Sequence, residues 1–189
     1  MLVVVTGIPG TGKTTVANKA MEKLAAENIG YKMVTYGTVM FELAKEEQLV
    51  GHRDEMRKLN AKTQKDIQKK AAERIREMSK NMNVVLDTHC SIKTPKGYLP
   101  GLPQKILEEL KPDVIVVVEA GAEEIDMRRQ GDKSRDRDDE GVEDIRTHQD
   151  MNRNFAAAYC VISGASVKVI QNPQGRMDEA AEEMVKVLR

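Results

Sequence analysis

The strand-like run Leu2–Thr6 leads directly into Gly7-Ile8-Pro9-Gly10-Thr11-Gly12-Lys13-Thr14-Thr15, and this junction constrains the fold more than any other part of the chain. The octet Gly7–Thr14 matches the pattern G-x-x-x-x-G-K-[ST] without a gap. An apolar strand before it and a helix-spaced segment after it supply the context that the pattern needs. In that setting the glycines let backbone N–H groups curl around phosphate oxygens. The positive end of the following helix dipole favours the same charge. Lys13 is then placed for the β and γ phosphates, and the Thr14 hydroxyl for Mg2+. Residues Gly7, Ile8, Pro9, Gly10, Thr11, Gly12, Lys13, Thr14 and Thr15 are the candidate ATP-binding set. The loop leaves open whether the terminal phosphate is hydrolysed, read as a switch, or transferred.

The remaining pattern is α/β. Strand-like runs at 31–35, 83–87, 114–119 and 166–170 alternate with helix-period segments at 13–28, 37–80 (broken near Gly51), 103–110, 121–129, 140–162 and 176–188. Continuous apolar strands separated by helices predict a parallel sheet covered on both faces. The stretch SIKTPKGYLPGLP, 91–103, reads as a loop because of its prolines and glycines. No composition shift marks a linker. One domain, 1–189, is expected, with a helical insertion over about 36–80 and a short charged segment over about 130–138.

Composition narrows the partners. At 189 residues the chain is the size of one ordinary domain, and 40% hydrophobic residues with 3% aromatics imply an aliphatic core with the eleven methionines as filler. Thirty basic and thirty acidic residues leave no net charge, which argues against a nucleic-acid or anionic-membrane binder. The apolar runs are too short to span a bilayer, and the N-terminus has no signal-peptide pattern. Cys90 and Cys160 are too few for a disulfide framework or a Cys-rich metal site, so a reduced, cytoplasmic protein is expected.

Three features bear on a second substrate. Asp87 ends the run VVLD, where a parallel sheet places ligands, so its carboxylate suits Mg2+ through water; it would equally cap a turn. Arg128, Arg135 and Arg137 fall in RRQGDKSRDRDDE, with five basic and five acidic residues from 128 to 140. Taken alone the run suits a solvated surface, but beside a phosphate loop it suits phosphoryl transfer, where positioned arginines neutralise the migrating group. Segment 52–80 carries ten Lys/Arg against five Asp/Glu, fitting an anionic ligand or a solvated helix face. Tyr36-Gly37-Thr38 offers hydroxyls and a close backbone approach to a second nucleotide, or a helix start capped by Thr38. His89 beside Asp87 suits a polar contact, while His52 reads as surface and His148 as structural. Cys90 is placed near the crevice, although free cysteines are usually buried.

GIPGTGKTT, YGTVM, VVLDTH, TPKGYLPGLP, MRR…RDRD and VKVIQN together resemble the archaeal-type adenylate kinases along essentially the whole chain. The resemblance implies a three-layer fold on a five-stranded parallel sheet of order 2-3-1-4-5. It also implies the reaction ATP + AMP ⇌ 2 ADP with Mg2+, and a homotrimer. It places Lys13, Arg128, Arg135 and Arg137 on the phosphates, Pro173 and its loop on the ATP adenine, and Tyr36, Gly37, Thr38, Thr88 and His89 toward AMP. The chain departs from the bacterial-type enzymes, with Phe41 for an arginine in the AMP-site helix and Thr88-His89-Cys90-Ser91 for Gly-Phe-Pro-Arg. The AMP phosphate therefore needs other cations: Arg57 first, then Arg53, with Lys93 and Lys96 after them. A zinc-binding lid is excluded by the lack of cysteine between 91 and 159. The alternatives are the same chemistry with CMP or UMP as acceptor, or a regulatory ATPase that acts on an RNA or protein partner.

Overall fold

The computed structural model describes residues 1–131 and 141–189. In chain order it contains β1 (Leu2–Thr6), α1 (Lys13–Ala26), β2 (Tyr31–Thr35), α2 (Tyr36–Glu46), a 3-10 turn (Arg53–Lys58), α3 (Ala61–Asn81) and β3 (Asn83–Asp87). There follow β4 (Ser91–Thr94), β5 (Gly97–Pro100), α4 (Gln104–Leu110), β6 (Val114–Glu119), α5 (Ala122–Gly131), α6 (Val142–Ser163), β7 (Ser166–Gln171) and α7 (Met177–Leu188). Five strands form one parallel sheet in the order β2-β3-β1-β6-β7. This is the expected 2-3-1-4-5 arrangement, with β6 and β7 as its fourth and fifth members.

The central strands are apolar throughout because both of their faces are covered. Along β1, Leu2 and Val4 pack on one side with Val84, Leu86, Ile115 and Val117, against α2, α3, α4 and α6. Val3 and Val5 turn to the other side with Val85, Val116 and Val118, against Val16 and Leu24 of α1 and Met184 and Leu188 of α7. The period of two within each strand thus divides a single apolar run between two layers. Each fully buried Leu or Ile in them contributes roughly 1.5–3 kcal/mol. All strands run the same way, so β1, β2 and β3 deliver Thr6, Thr35 and Asp87 to one end of the sheet.

Residues 91–103 are not wholly loop, contrary to expectation. Ser91–Thr94 and Gly97–Pro100 pair as an antiparallel hairpin, with Ile92 opposite Leu99 and Lys93 opposite Tyr98. Thr94 Oγ1 donates to the Gly97 carbonyl at 2.8 Å and accepts from Lys96 N at 3.2 Å. A two-stranded hairpin is marginal alone. Here it leans on α6, where the Tyr98 and His148 rings lie 5.2 Å apart and Lys93 pairs with Asp144 at 3.4 Å. Thr38 is not a helix cap either: α2 already begins at Tyr36, with Thr35 in the capping position. Among the described residues no helix is long and apolar enough to cross a membrane.

Candidate active site

Gly12 precedes α1 at φ 80°, a left-handed conformation that glycine adopts without strain. A Cβ there would also stand 2.6 Å from Asn172 Nδ2. Behind it, the Thr11 hydroxyl donates to the Ile8 carbonyl at 3.0 Å, and Asn172 Nδ2 donates to the Thr11 carbonyl at 2.8 Å. The loop is therefore braced by its own side chain and by the segment after β7. Its open face, Ile8 through Thr15, lines a cavity of about 810 Å³ that extends to Thr35, Gly37, Thr38 and Arg53 on one side and to Asp87, Thr88 and His89 on another. Gly7 lies beneath the loop against the Val118 carbonyl, outside that lining.

Asp87, mostly buried at the end of β3, organises the floor. Lys13 Nζ pairs with its Oδ1, and Thr14 Oγ1 donates to its Oδ2 at 2.8 Å. Thr88 continues the β1 contact through its N–H to the Val5 carbonyl at 3.1 Å. His89 reaches into the cavity. The ring is open to the cavity; partial loss of water around it, followed by the Lys13 charge, lowers its pKa below the ordinary imidazole value, while Asp87 and a hydrogen bond to the Gly7 backbone oppose the shift. As pH falls through the ordinary imidazole range the unfolded chain binds a proton that the folded protein resists, so stability is lost, by a small amount because the exposed ring is screened by solvent. Urea midpoints at pH 7.5 and 5.5 are expected to fall less in His89→Asn than in the parent protein. Equal slopes would refute the shift.

The arginines divide. Arg128, on α5, lines the cavity while bracing it: Nη1 donates to the Gly10 and Thr11 carbonyls at 3.3 and 3.4 Å, Nη2 to the Asn172 carbonyl at 3.0 Å, and Nε to Gln174 Oε1 at 3.2 Å. Arg135 and Arg137 lie outside the described residues. Arg53 faces the cavity, with Nη1 3.4 Å from Thr38 Oγ1. Arg57, ranked ahead of it from sequence, is exposed in the same 3-10 turn and is not among the lining residues; Lys93 and Lys96 sit on the hairpin, also outside the lining. Gly37 and Thr38 join the wall, but Tyr36 does not. Its ring is buried under α2 and its hydroxyl donates to the Gln68 carbonyl at 2.7 Å. Pro173 is half-buried next to Asn172, outside the lining.

Cys90 is fully buried, and burial pushes its thiol up to about 12, which removes it as a nucleophile. Two contributors had no signal in the sequence beyond their neighbourhood. Arg129 Nε donates to the Pro9 carbonyl at 2.9 Å, and Asn172 carries the brace to Thr11. Among the described residues, Lys13, Arg53 and Arg128 face the cavity against one carboxylate, that of Asp87, a balance suited to a polyanion. Phosphate loop, parallel sheet and facing wall define a nucleotide-dependent phosphotransferase.

Residues 6–146 match the family model described as AAA domain. Adenylate kinase of Methanococcus vannielii is 57% identical over 188 residues, covering 100% of this chain and 98% of the relative. Adenylate kinase of Methanocaldococcus jannaschii is 56% identical with the same coverage. The chain belongs to the family of that model and, more narrowly, to the archaeal adenylate kinases. A crystal structure of shikimate kinase from Bacteroides thetaiotaomicron shares the fold, at TM-score 0.59 and 11% identity over 100% of this chain and 98% of that one.

Proposed function

We propose that this chain catalyses reversible transfer of the ATP γ-phosphoryl group to an AMP phosphate oxygen, giving two ADP. The observation that carries this reading is that one cavity joins the phosphate loop to Thr38, Arg53, Thr88 and His89. A hydrolase or a switch needs only the first of these surfaces. The facing wall suits a second, monophosphorylated nucleotide, and its acceptor oxygen is already anionic. Catalysis then consists of positioning and charge stabilisation rather than proton removal.

The chain's own groups take these roles. Lys13 leaves Asp87 to bridge the β and γ phosphates, and the backbone N–H groups of the loop hold the β phosphate. The Thr14 hydroxyl and the Asp87 carboxylate are hard oxygen donors on one side of the cavity. Among the described residues no group of three His, Cys, Asp or Glu forms a metal cage, a pattern that fits Mg2+ held largely by water and substrate phosphates. Thr14 would ligate it directly and Asp87 through water. When bound, the ion neutralises phosphate charge and aligns the transferring group. Arg128, Arg135 and Arg137 cover the migrating phosphoryl, and the Pro173 loop meets the adenine. The family resemblance also supports a lid over about 130–138 without zinc, a cytoplasmic location and a homotrimer. Exposed Val161, Ile162 and Val167 offer apolar surface for assembly.

The test is transfer from Mg·ATP with AMP, CMP, UMP, GMP or no acceptor in parallel. Two ADP per AMP with little hydrolysis in the blank supports the proposal. Transfer to CMP or UMP instead would change the acceptor, and acceptor-independent hydrolysis would favour the regulatory ATPase. Arg53→Ala is expected to raise KM for AMP about 10–100-fold, the worth of one charge-assisted hydrogen bond, with KM for ATP nearly unchanged. Arg57→Ala, measured beside it, should leave both constants near the parent values. The reverse result would return the AMP phosphate to Arg57.

A further inference from the structure

Behind the Thr88–His89 wall lies a buried polar chain that the phosphate loop does not use. Thr6, the last residue of β1, accepts from Cys90 N at 2.9 Å and donates to Asn152 Oδ1 at 3.2 Å. Asn152, buried on α6, also accepts from Ser91 Oγ at 3.5 Å. Two turns further along α6, the buried Tyr159 hydroxyl donates to the Cys90 carbonyl at 2.7 Å and accepts from Leu102 N at 3.2 Å. Gly101 N donates to the same carbonyl at 2.8 Å. The N–H and C=O of Cys90, next to His89, are thus tied to β1 and α6. Gly101 closes the cradle, since a Cβ there would stand 1.8 Å from the His89 carbonyl oxygen.

We propose that Tyr159 and Asn152 are positioning residues for the acceptor nucleotide, fixing through Cys90 and Thr6 where Thr88 and His89 meet it. The proposal rests on the acceptor wall assigned above. A phenol needed only for packing gains nothing by burying its oxygen, because a desolvated hydroxyl must recover its hydrogen bonds. The Tyr159 oxygen recovers two, both on the backbone that frames His89, and a fully satisfied network of this kind holds one geometry. Displacement by about 1 Å at such a wall can cost up to 10²-fold in rate. Both bonds of the Tyr159 hydroxyl go to Cys90 and Leu102 rather than to the phosphate loop, so its effect should fall on one substrate.

The decisive variant is Tyr159→Phe in the full chain. With each nucleotide varied at saturating concentration of the other, KM for AMP is expected to rise about five- to tenfold, the loss of roughly one buried hydrogen bond, with KM for ATP within about twofold. In nucleotide-free protein at fixed pH 8, the His89 ring 1H–13C cross-peak, identified by its loss in His89→Asn, should move while circular dichroism stays unchanged. Unchanged constants, or both KM values rising together with a drop in thermal stability, would overturn the proposal. An unmoved His89 peak overturns it even if the chain transfers nothing to AMP. A moved peak in a protein inert toward AMP would uphold the cradle and reject the assignment of the wall to AMP. Should Tyr159→Phe fail to fold, Asn152→Ser carries the same readouts.

Discussion

Lys13→Met is expected to lower turnover by about 10³-fold while the chain remains folded, the upper range for deleting one preorganised donor to a charged transition state. Lys13 lines the cavity within the phosphate loop, where the proposed function sets the β and γ phosphates, and no other described lysine lines it. Without nucleotide it is held by Asp87, and both side chains are largely shielded. The variant therefore has a second signature. Asp87 keeps the Thr14 hydroxyl at 2.8 Å but loses its cation, which should cost on the order of 1–3 kcal/mol of nucleotide-free stability. Adding Asp87→Asn removes the orphaned charge and should recover most of that stability without recovering activity. Single-turnover ADP formation and urea unfolding separate the two effects. Parent turnover in a folded Lys13→Met protein would sink the role given to the lysine.

The sheet was legible because parallel strands buried on both faces leave a continuous apolar run. Leu2–Thr6, Tyr31–Thr35 and Asn83–Asp87 have the same bounds in the sequence pattern and in the structure. Most helix ends shift by only a residue or two, with Gly12 and Gly164 at local boundaries. The segment expected to be helical over 37–80 with a break near Gly51 instead leaves the α-helix from 47 to 60, α2 stopping at Glu46 and α3 starting after the Asn60 cap. The hairpin was hidden because its pairing is supported from outside itself. Ile92 and Leu99 face each other but both stay exposed, so neither strand carries the alternation that burial imposes. Its anchors, His148 and Asp144 on α6, lie some fifty residues away.

The phosphate loop was legible for the opposite reason: its chemistry is packed into consecutive residues. The acceptor wall is assembled from three separate segments, and there spacing misleads. Arg53 and Arg57 would share one face of an α-helix, but they sit in a 3-10 turn. At about three residues per turn, a step of four rotates the second side chain away from the first. Only Arg53 is left facing Thr38. A hydroxyl at the start of α2 looks like a ligand group in the sequence, but that of Tyr36 is buried and bonded to the Gln68 carbonyl. Asn152 and Tyr159 read as ordinary residues of a long helix, and only the fold sets them behind His89.

Arg128→Ala is expected to lower kcat/KM for ATP by about 10²–10³-fold, in the range of a lost transition-state donor, through KM and kcat together. The side chain has two tasks that the sequence merged into one. Its guanidinium ties Gly10 and Thr11 of the phosphate loop to Asn172 and Gln174 after β7, so its loss frees the brace behind the bound nucleotide and raises KM. It also faces the cavity as a cation, and its loss there removes charge from the migrating group and lowers kcat. Arg128→Lys distinguishes these tasks, because an ammonium keeps the charge but cannot span the four oxygen acceptors with a rigid fork. Its kcat should recover in part while KM for ATP stays high. Full recovery of both constants in the lysine variant would reduce Arg128 to a charge. A KM effect with parent kcat in Arg128→Ala would reduce it to a brace, and the charge on the migrating phosphoryl would then fall to Lys13 and to Arg135 and Arg137.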